Sequence, residues 1–246
     1  MFEQKNTQNK LIVVEGNIGT GKSTFLKLLR DRLHVNFIPE PTDKWQTVGK
    51  SDNLLHLFYQ DTPRWAYTFQ SYAFLTRVHA ILEHQAHTPE HNIHILERSV
   101  YCDRFCFAKN CYESGLMTPL EWQIYTEWFA WLVEKYTPRP SGFIYLRTQP
   151  EISHQRIAKR QRSEETGIPL EYLQALHQKH DDWLINKHEI IDSIRNVPVL
   201  VLDCNNDFEN TPHEFTSHVD KVQRFIDSLH ETITPPPPTT INSIHI

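Results

Sequence analysis

The stretch that most constrains this chain is Gly16-Asn17-Ile18-Gly19-Thr20-Gly21-Lys22-Ser23. It follows the apolar run Leu11-Ile12-Val13-Val14-Glu15 and leads into Ser23-Thr24-Phe25-Leu26-Lys27-Leu28-Leu29, which has helical spacing. Strand, glycine-rich turn and helix in that order fit the phosphate-binding pattern G-x-x-x-x-G-K-[ST]. Glycines let the backbone curl so that successive N–H groups point at phosphate oxygens. The helix N-terminus adds partial positive charge. Lys22 has the reach for the outer phosphates, and the Ser23 hydroxyl suits Mg²⁺. The loop implies a bound nucleoside triphosphate but leaves open what is done with it.

Composition narrows the rest. A chain of 246 residues, 39% of them hydrophobic, suits one α/β domain with a full core or two small ones. A net charge of −5 gives no reason to expect a polyanion-binding surface, so no nucleic-acid partner is expected. Cys102, Cys106, Cys111 and Cys204 show no C-x-x-C spacing, and reduced thiols are expected rather than disulfides or a structural zinc site. No apolar run approaches the roughly 20 residues of a membrane helix. The segment Met1 to Lys10 is short and polar and contains Glu3, unlike a signal or transit peptide. A soluble, cytoplasmic protein is the expectation.

Further strands are expected at Val35–Ile38, Ile93–Leu96, Phe143–Leu146 and Val197–Leu202. Helices are expected at Ser51–Gln60, Arg64–His87, Tyr101–Tyr112, Pro119–Tyr136, Glu151–Arg160, Leu170–Ile194 and Pro212–Glu231. Pro235 to Pro238 reads as a polyproline-type tail. Short apolar strands alternating with helices imply a five-stranded parallel sheet covered by helices on both faces, with ligands at the strands' carboxyl ends. No linker or internal repeat is evident, so one domain is expected.

Polar signatures fall at those carboxyl ends. Glu40 closes the second strand, where a carboxylate can take a proton from an attacking hydroxyl; in a Pro-Glu-Pro turn it also reads as a plain surface residue. Trp45 is either a wall beside it or simply core. Glu97-Arg98-Ser99 follows the third strand, with Glu97 placed to hold Mg²⁺ through water and Arg98 to stabilise transferring charge. A salt bridge capping the next helix is the alternative. Gln70, Ala73 and Arg77 share one helix face, where Gln70 can pair with a base edge and Arg77 with Asp103; spacing alone equally describes a solvated stripe. Arg156, Lys159, Arg160 and Arg162 precede Glu164, Glu165 and the break at Gly167 and Pro169, the pattern of a hinged basic lid or of a solvated helix face.

From Leu11 to about Leu229 the chain resembles the deoxyribonucleoside kinases, in the deoxycytidine/deoxyguanosine kinase subgroup. The resemblance rests on the phosphate loop, Glu40-Pro41 with Trp45, Trp65 to Arg77, Glu97-Arg98-Ser99-Val100-Tyr101 with Asp103-Arg104, and Arg156 through Ile168-Pro169-Leu170-Glu171-Tyr172-Leu173. The blocks at Glu97–Arg104 and Ile168–Leu173 are far more specific than the phosphate loop. It implies a P-loop kinase fold with an arginine-rich lid at about residues 156–168, within a kinase domain at 11–232 flanked by tails at 1–10 and 233–246. By resemblance Glu40 is the general base and Arg98 holds the 5′-hydroxyl. Tyr59 and Glu165 bind the 3′-hydroxyl, while Gln70, Arg77 and Asp103 read the base beside Ala73. Arg156, Arg160 and Arg162 belong to the lid, and Asp203 to Phe208, with Asn205, contacts the donor's base. ATP and Mg²⁺ are the implied cofactors, a deoxynucleoside the acceptor, with deoxyguanosine, deoxyadenosine or deoxycytidine favoured over thymidine, and a homodimer through the Pro119–Tyr136 region the assembly. The rival reading is a nucleotide-dependent switch protein with no small-molecule acceptor. A kinase acting on monophosphates is closer, but needs more arginines for an acceptor phosphate.

Overall fold

The structure, a computed structural model, describes residues 10–33, 35–87 and 93–231. Of the expected tails only Lys10 falls among them, and it opens the first strand. The strands are β1 (Lys10–Glu15), β2 (Asn36–Ile38), β3 (Ile93–Glu97), β4 (Gly142–Arg147) and β5 (Val199–Asp203). They form one parallel sheet in the order β2-β3-β1-β4-β5. The chain winds to one side of β1 and then to the other, which opens a crevice at the carboxyl edge beside β1.

Two cores flank the sheet, because neighbouring strand residues point to opposite faces. Leu11 and Val13 of β1, with Phe143 and Tyr145 of β4, face one core. It is filled from α3 (Leu54–Gln60), α4 (Thr62–His87), α7 (Pro119–Tyr136) and α9 (Leu170–Leu184). Ile12, Val14, Ile144 and Leu146 face the other, filled by Phe25 and Leu29 of α1 (Lys22–Arg30) and by Phe215, Val222 and Ile226 of α11 (Pro212–Glu231). Both faces of each central strand are dry, so β1 and β4 read as unbroken apolar runs. Among the described residues, no helix is long and apolar enough to cross a membrane.

Several boundaries differ from the sequence reading. The helix expected from Leu170 to Ile194 stops at Leu184; Lys187 and Glu189 then take left-handed backbone, with φ of 54° and 50°, before the short α10 (Asp192–Arg195). A short α2 (Thr42–Gln46) occupies the segment after Pro41. The first turn expected at Ser51 does not form, because Asn53 caps α3 by accepting from His56 N at 2.9 Å. The helix expected at Tyr101–Tyr112 is α5 (Val100–Cys102), a π-helical stretch (Asp103–Ala108) and α6 (Lys109–Glu113). α8 (Pro150–Arg160) ends at Gln161 in left-handed backbone, and a single 3₁₀ turn (Ser163–Glu165) follows. The four cysteines are buried and unpaired.

Candidate active site

The loop between β1 and α1 makes an anion cradle. Gly19 has φ +77°, and a Cβ there would lie 2.5 Å from Ser153 O, so only glycine fits. No side chain caps α1, which leaves its first N–H groups for a ligand. Lys22 folds over the loop and donates to Gly16 O at 3.0 Å and Asn17 O at 2.8 Å. Burial, with the nearby Arg98 charge, lowers its pKa to about 8. Ser23 Oγ donates to Glu97 Oε1 at 2.6 Å, bringing together the two residues expected at the metal. That pair supplies hard oxygens of the kind Mg²⁺ takes.

The loop opens onto a cavity of about 880 Å³ that reaches back to α4. Glu40 stands between two arginines: Arg98 Nε lies 2.9 Å from its Oε1, and Arg77 Nη2 donates to the same oxygen. Burial opposes the charge on Glu40, but Arg98, Arg77 and Lys22 outweigh it and hold its pKa below the usual carboxylate range. Arg98 is itself fixed. Its backbone is left-handed at φ 61°, its N–H extends the sheet to Val14 O at 2.9 Å, and its guanidinium lies 4.6 Å from the Phe107 ring. Its Nη1 donates to Cys102 Sγ at 3.3 Å, and that sulfur lies 3.3 Å from His180 Nε2. Ser99, next in sequence, caps α5 and donates to Glu15 at 2.5 Å. That bond keeps the turn after β3 in register with β1.

At the far end, Arg77 Nη1 donates to Asp103 Oδ1. Burial, only partly offset by Arg77, raises Asp103 to about 7. Asp103 Oδ2 and Arg77 Nε are buried without a partner among the described residues, as polar atoms awaiting a ligand would be. Gln70 and Ala73 line the same end, each about 1% exposed. Trp45 forms a wall, with its ring 4.7 Å from the Arg77 guanidinium and its Nε1 on Thr76 at 2.8 Å. Tyr59 lines the cavity from α3, and burial and then the Glu165 charge raise its pKa.

The basic segment folds over the mouth. Arg156 donates to Asn206 O at 2.9 Å and to Asn205 O at 3.3 Å, tying α8 to the segment after β5. Arg160 and Arg162 both pair with Glu165. Gly21, Thr24, Asn205 and Phe208 line the cavity on this side.

Four expected cofactor residues do not line the cavity. Gly16, Thr20 and Asn17 shape the loop from behind: Asn17 Nδ2 donates to Leu173 O at 2.8 Å, a structural tie to α9. Asp203 accepts from Asn205 N at 3.0 Å and lies outside the lining. The sequence reading missed the apolar lining from Leu55, Phe58, Phe69 and Phe107. Helical spacing marks such residues as core and cannot say which of them border a cavity.

A phosphate-loop motif opening onto a buried, charge-lined cavity bordered by a basic segment fits a P-loop phosphotransferase. A family model described as deoxynucleoside kinase matches residues 12–227. Deoxycytidine kinase 2 of Gallus gallus is 42% identical over 241 residues, covering 88% of this chain and 90% of its own. Deoxycytidine kinase of Homo sapiens is 38% identical over 247 residues, at 92% and 94%. The mitochondrial deoxyguanosine kinase of Xenopus laevis is 37% identical over 250 residues, at 93% and 94%. The chain belongs to the deoxynucleoside kinase family.

Proposed function

We propose that this protein transfers the γ-phosphate of ATP to the 5′-hydroxyl of a deoxynucleoside, with deoxycytidine and the purine deoxynucleosides favoured over thymidine. The observation that carries the reading is Glu40, held ionised between Arg98 and Arg77 on the path from acceptor pocket to phosphate loop. Glu40 orients the 5′-hydroxyl and accepts its proton. Arg98 steadies that oxygen, and Lys22 with the N–H groups of α1 holds the donor phosphates. Arg156, Arg160 and Arg162 supply positive charge from the lid. Tyr59 and Glu165 grip the 3′-hydroxyl, while Gln70, Arg77 and Asp103 meet the base edge. Asn205 and Phe208 border the donor's base. Ser23 and Glu97 would hold a Mg²⁺ ion, which would supply charge neutralisation at the donor phosphates.

Glu40→Gln keeps the shape and removes the base. Its kcat should fall by about 10²- to 10⁴-fold with each of the four deoxynucleosides, with nucleoside binding retained. A near-wild-type kcat would remove Glu40 from the chemistry. Thymine presents a methyl toward the charged pair and cannot donate from O4 to Asp103. Leaving such groups unpaired costs on the order of 1–3 kcal/mol, or roughly 5- to 150-fold in kcat/KM. Because Arg77 also pairs with Glu40, the double variant Arg77→Met with Asp103→Ala should lose overall rate yet gain thymidine relative to deoxycytidine. An unchanged ratio would sink this base-reading role. A cytoplasmic homodimer belongs to the same proposal. The exposed Leu75 and Leu82 of α4, and the exposed Trp128 and Trp131 of the adjoining α7, support the dimer.

A further inference from the structure

Glu164 does not line the cavity, yet it is only 7% exposed. Its Oε1 accepts from Gln46 Nε2 and from Asn53 Nδ2, each at 2.9 Å, and its Oε2 from Ser163 Oγ at 3.0 Å. Gln46 ends α2, next to Trp45 of the pocket wall. Asn53 caps α3, which carries Leu55, Phe58 and Tyr59 into the cavity. One carboxylate therefore joins the lid turn to both helices of the acceptor wall. Its neighbour Glu165 lines the cavity and holds the two lid arginines.

We propose that Glu164 is a latch, a positioning residue that docks the lid turn on α2 and α3 and so sets Glu165 against Tyr59 for the sugar 3′-hydroxyl. This rests on reading Tyr59 and Glu165 as the sugar's partners. The latch is made of hydrogen bonds from neutral amides and a hydroxyl, so it draws on none of the lid's positive charge. Arg160 and Arg162 can therefore leave Glu165 for the phosphates while the turn stays docked. Burial works against the Glu164 charge, but the donors from Asn53, Gln46 and Ser163 outweigh it and lower its pKa to about 2. Asn53 performs two tasks with two atoms: Oδ1 caps α3 and Nδ2 holds the lid.

That division of labour makes the test clean. Asn53→Asp keeps a good helix cap but sets a carboxylate against Glu164. Asn53→Ser keeps a cap on a shorter side chain and loses the amide N–H that reaches Glu164. Each variant, with Glu165→Gln as the reference, is assayed on deoxycytidine and on 2′,3′-dideoxycytidine. The readout is the ratio of their kcat/KM values, alongside thermal melting. In the wild type the 3′-hydroxyl should be favoured, and Glu165→Gln should collapse that preference. Asn53→Asp should lower it by about tenfold, mainly through the deoxycytidine KM. Asn53→Ser should lower it by less, and Glu164→Gln should retain part of it, since an amide oxygen still accepts. If Glu165→Gln collapses the ratio while well-folded Asn53→Asp and Asn53→Ser leave it at the wild-type value, the latch is overturned and the sugar reading stands. If Glu165→Gln leaves the ratio unchanged, the sugar reading fails and the latch fails with it. Should Asn53→Asp not fold, Asn53→Ser decides by the same criterion.

Discussion

Asp103 shows how far a single residue's environment can set chemistry. Buried beside Arg77, it titrates near pH 7 rather than near 4. Ionised, it only accepts, which suits the amino group of cytosine or adenine; protonated, it offers a donor instead. The kcat/KM for deoxycytidine should therefore rise with pH through about 7 and level off above it. Well below 7 the fall should approach about tenfold per pH unit. Asp103→Asn cannot titrate, so its lower activity should be flat through the same range; a wild-type slope in that variant would assign the titration elsewhere. The stability sign is opposite to that of an ordinary ion-paired carboxylate. A native pKa raised above the unfolded one binds an extra proton between about pH 4 and 7, so Asp103 favours folding less as pH rises through that window. Lys22→Ala tests a different property. Its ammonium also ties Gly16 and Asn17 together, so transfer should be abolished with the protein still folded but the loop loosened. Unchanged kcat and ATP affinity would exclude the role.

At the scale of elements, the lid is where sequence and structure part. Arg160 and Arg162 read as basic residues beside a glycine break, and the structure pairs both with Glu165. Arg160→Ala should therefore lower kcat through lost transition-state charge more than it raises the deoxynucleoside KM. A change confined to KM would place Arg160 in the acceptor pocket. Glu164 supplies a pH handle on the same element. Its pKa is depressed to about 2, so its contribution is complete above about pH 5 and fades as pH falls toward 2. The protection factor of the lid peptide, after correction for the intrinsic slowing of amide exchange toward acid, should fall across that window in the wild type and change less in Asn53→Ser. The phosphate loop and the Glu97-Arg98-Ser99 turn were legible because their chemistry sits in consecutive residues after an apolar strand. Gln70, Ala73 and Arg77 were legible as one helix face through their offsets, but the contacts from Arg77 to Asp103 and to Glu40 join residues 26 and 37 apart and leave no local trace. The end of α9 was hidden because its turn uses Lys187 and Glu189 in left-handed backbone, with no glycine to announce it. The π-helical stretch at Asp103–Ala108 has no sequence signature either, and it is the segment that carries Asp103 and Phe107 into the cavity.

At the scale of the molecule, the question is what covers the back of the acceptor pocket. α4 turns Gln70, Ala73 and Arg77 inward, and all three are nearly fully buried. Leu75 and Leu82, on another side of the helix, are 48% and 38% exposed. α7 packs beside α4 and exposes Trp128 and Trp131 at 50% and 47%, their rings 5.8 Å apart. Trp122 is not part of this surface; it stacks on Tyr112 at 4.9 Å, with the Arg104 guanidinium 4.0 Å from its ring. Two adjacent helices with large apolar side chains pointing outward fit a symmetric interface better than a solvated face. The wild type should sediment as a dimer at micromolar concentration, and a monomer there would sink the proposal. Leu82→Glu with Trp131→Glu places like charges across such an interface and should yield the monomer. This chain's own side chains line the cavity, so this monomer should still transfer phosphate. Its deoxynucleoside KM should rise more than its kcat falls, because α4 loses support behind Gln70 and Arg77. A monomer with no activity despite a wild-type melting curve would mean that the site depends on a second copy in a way this geometry does not contain.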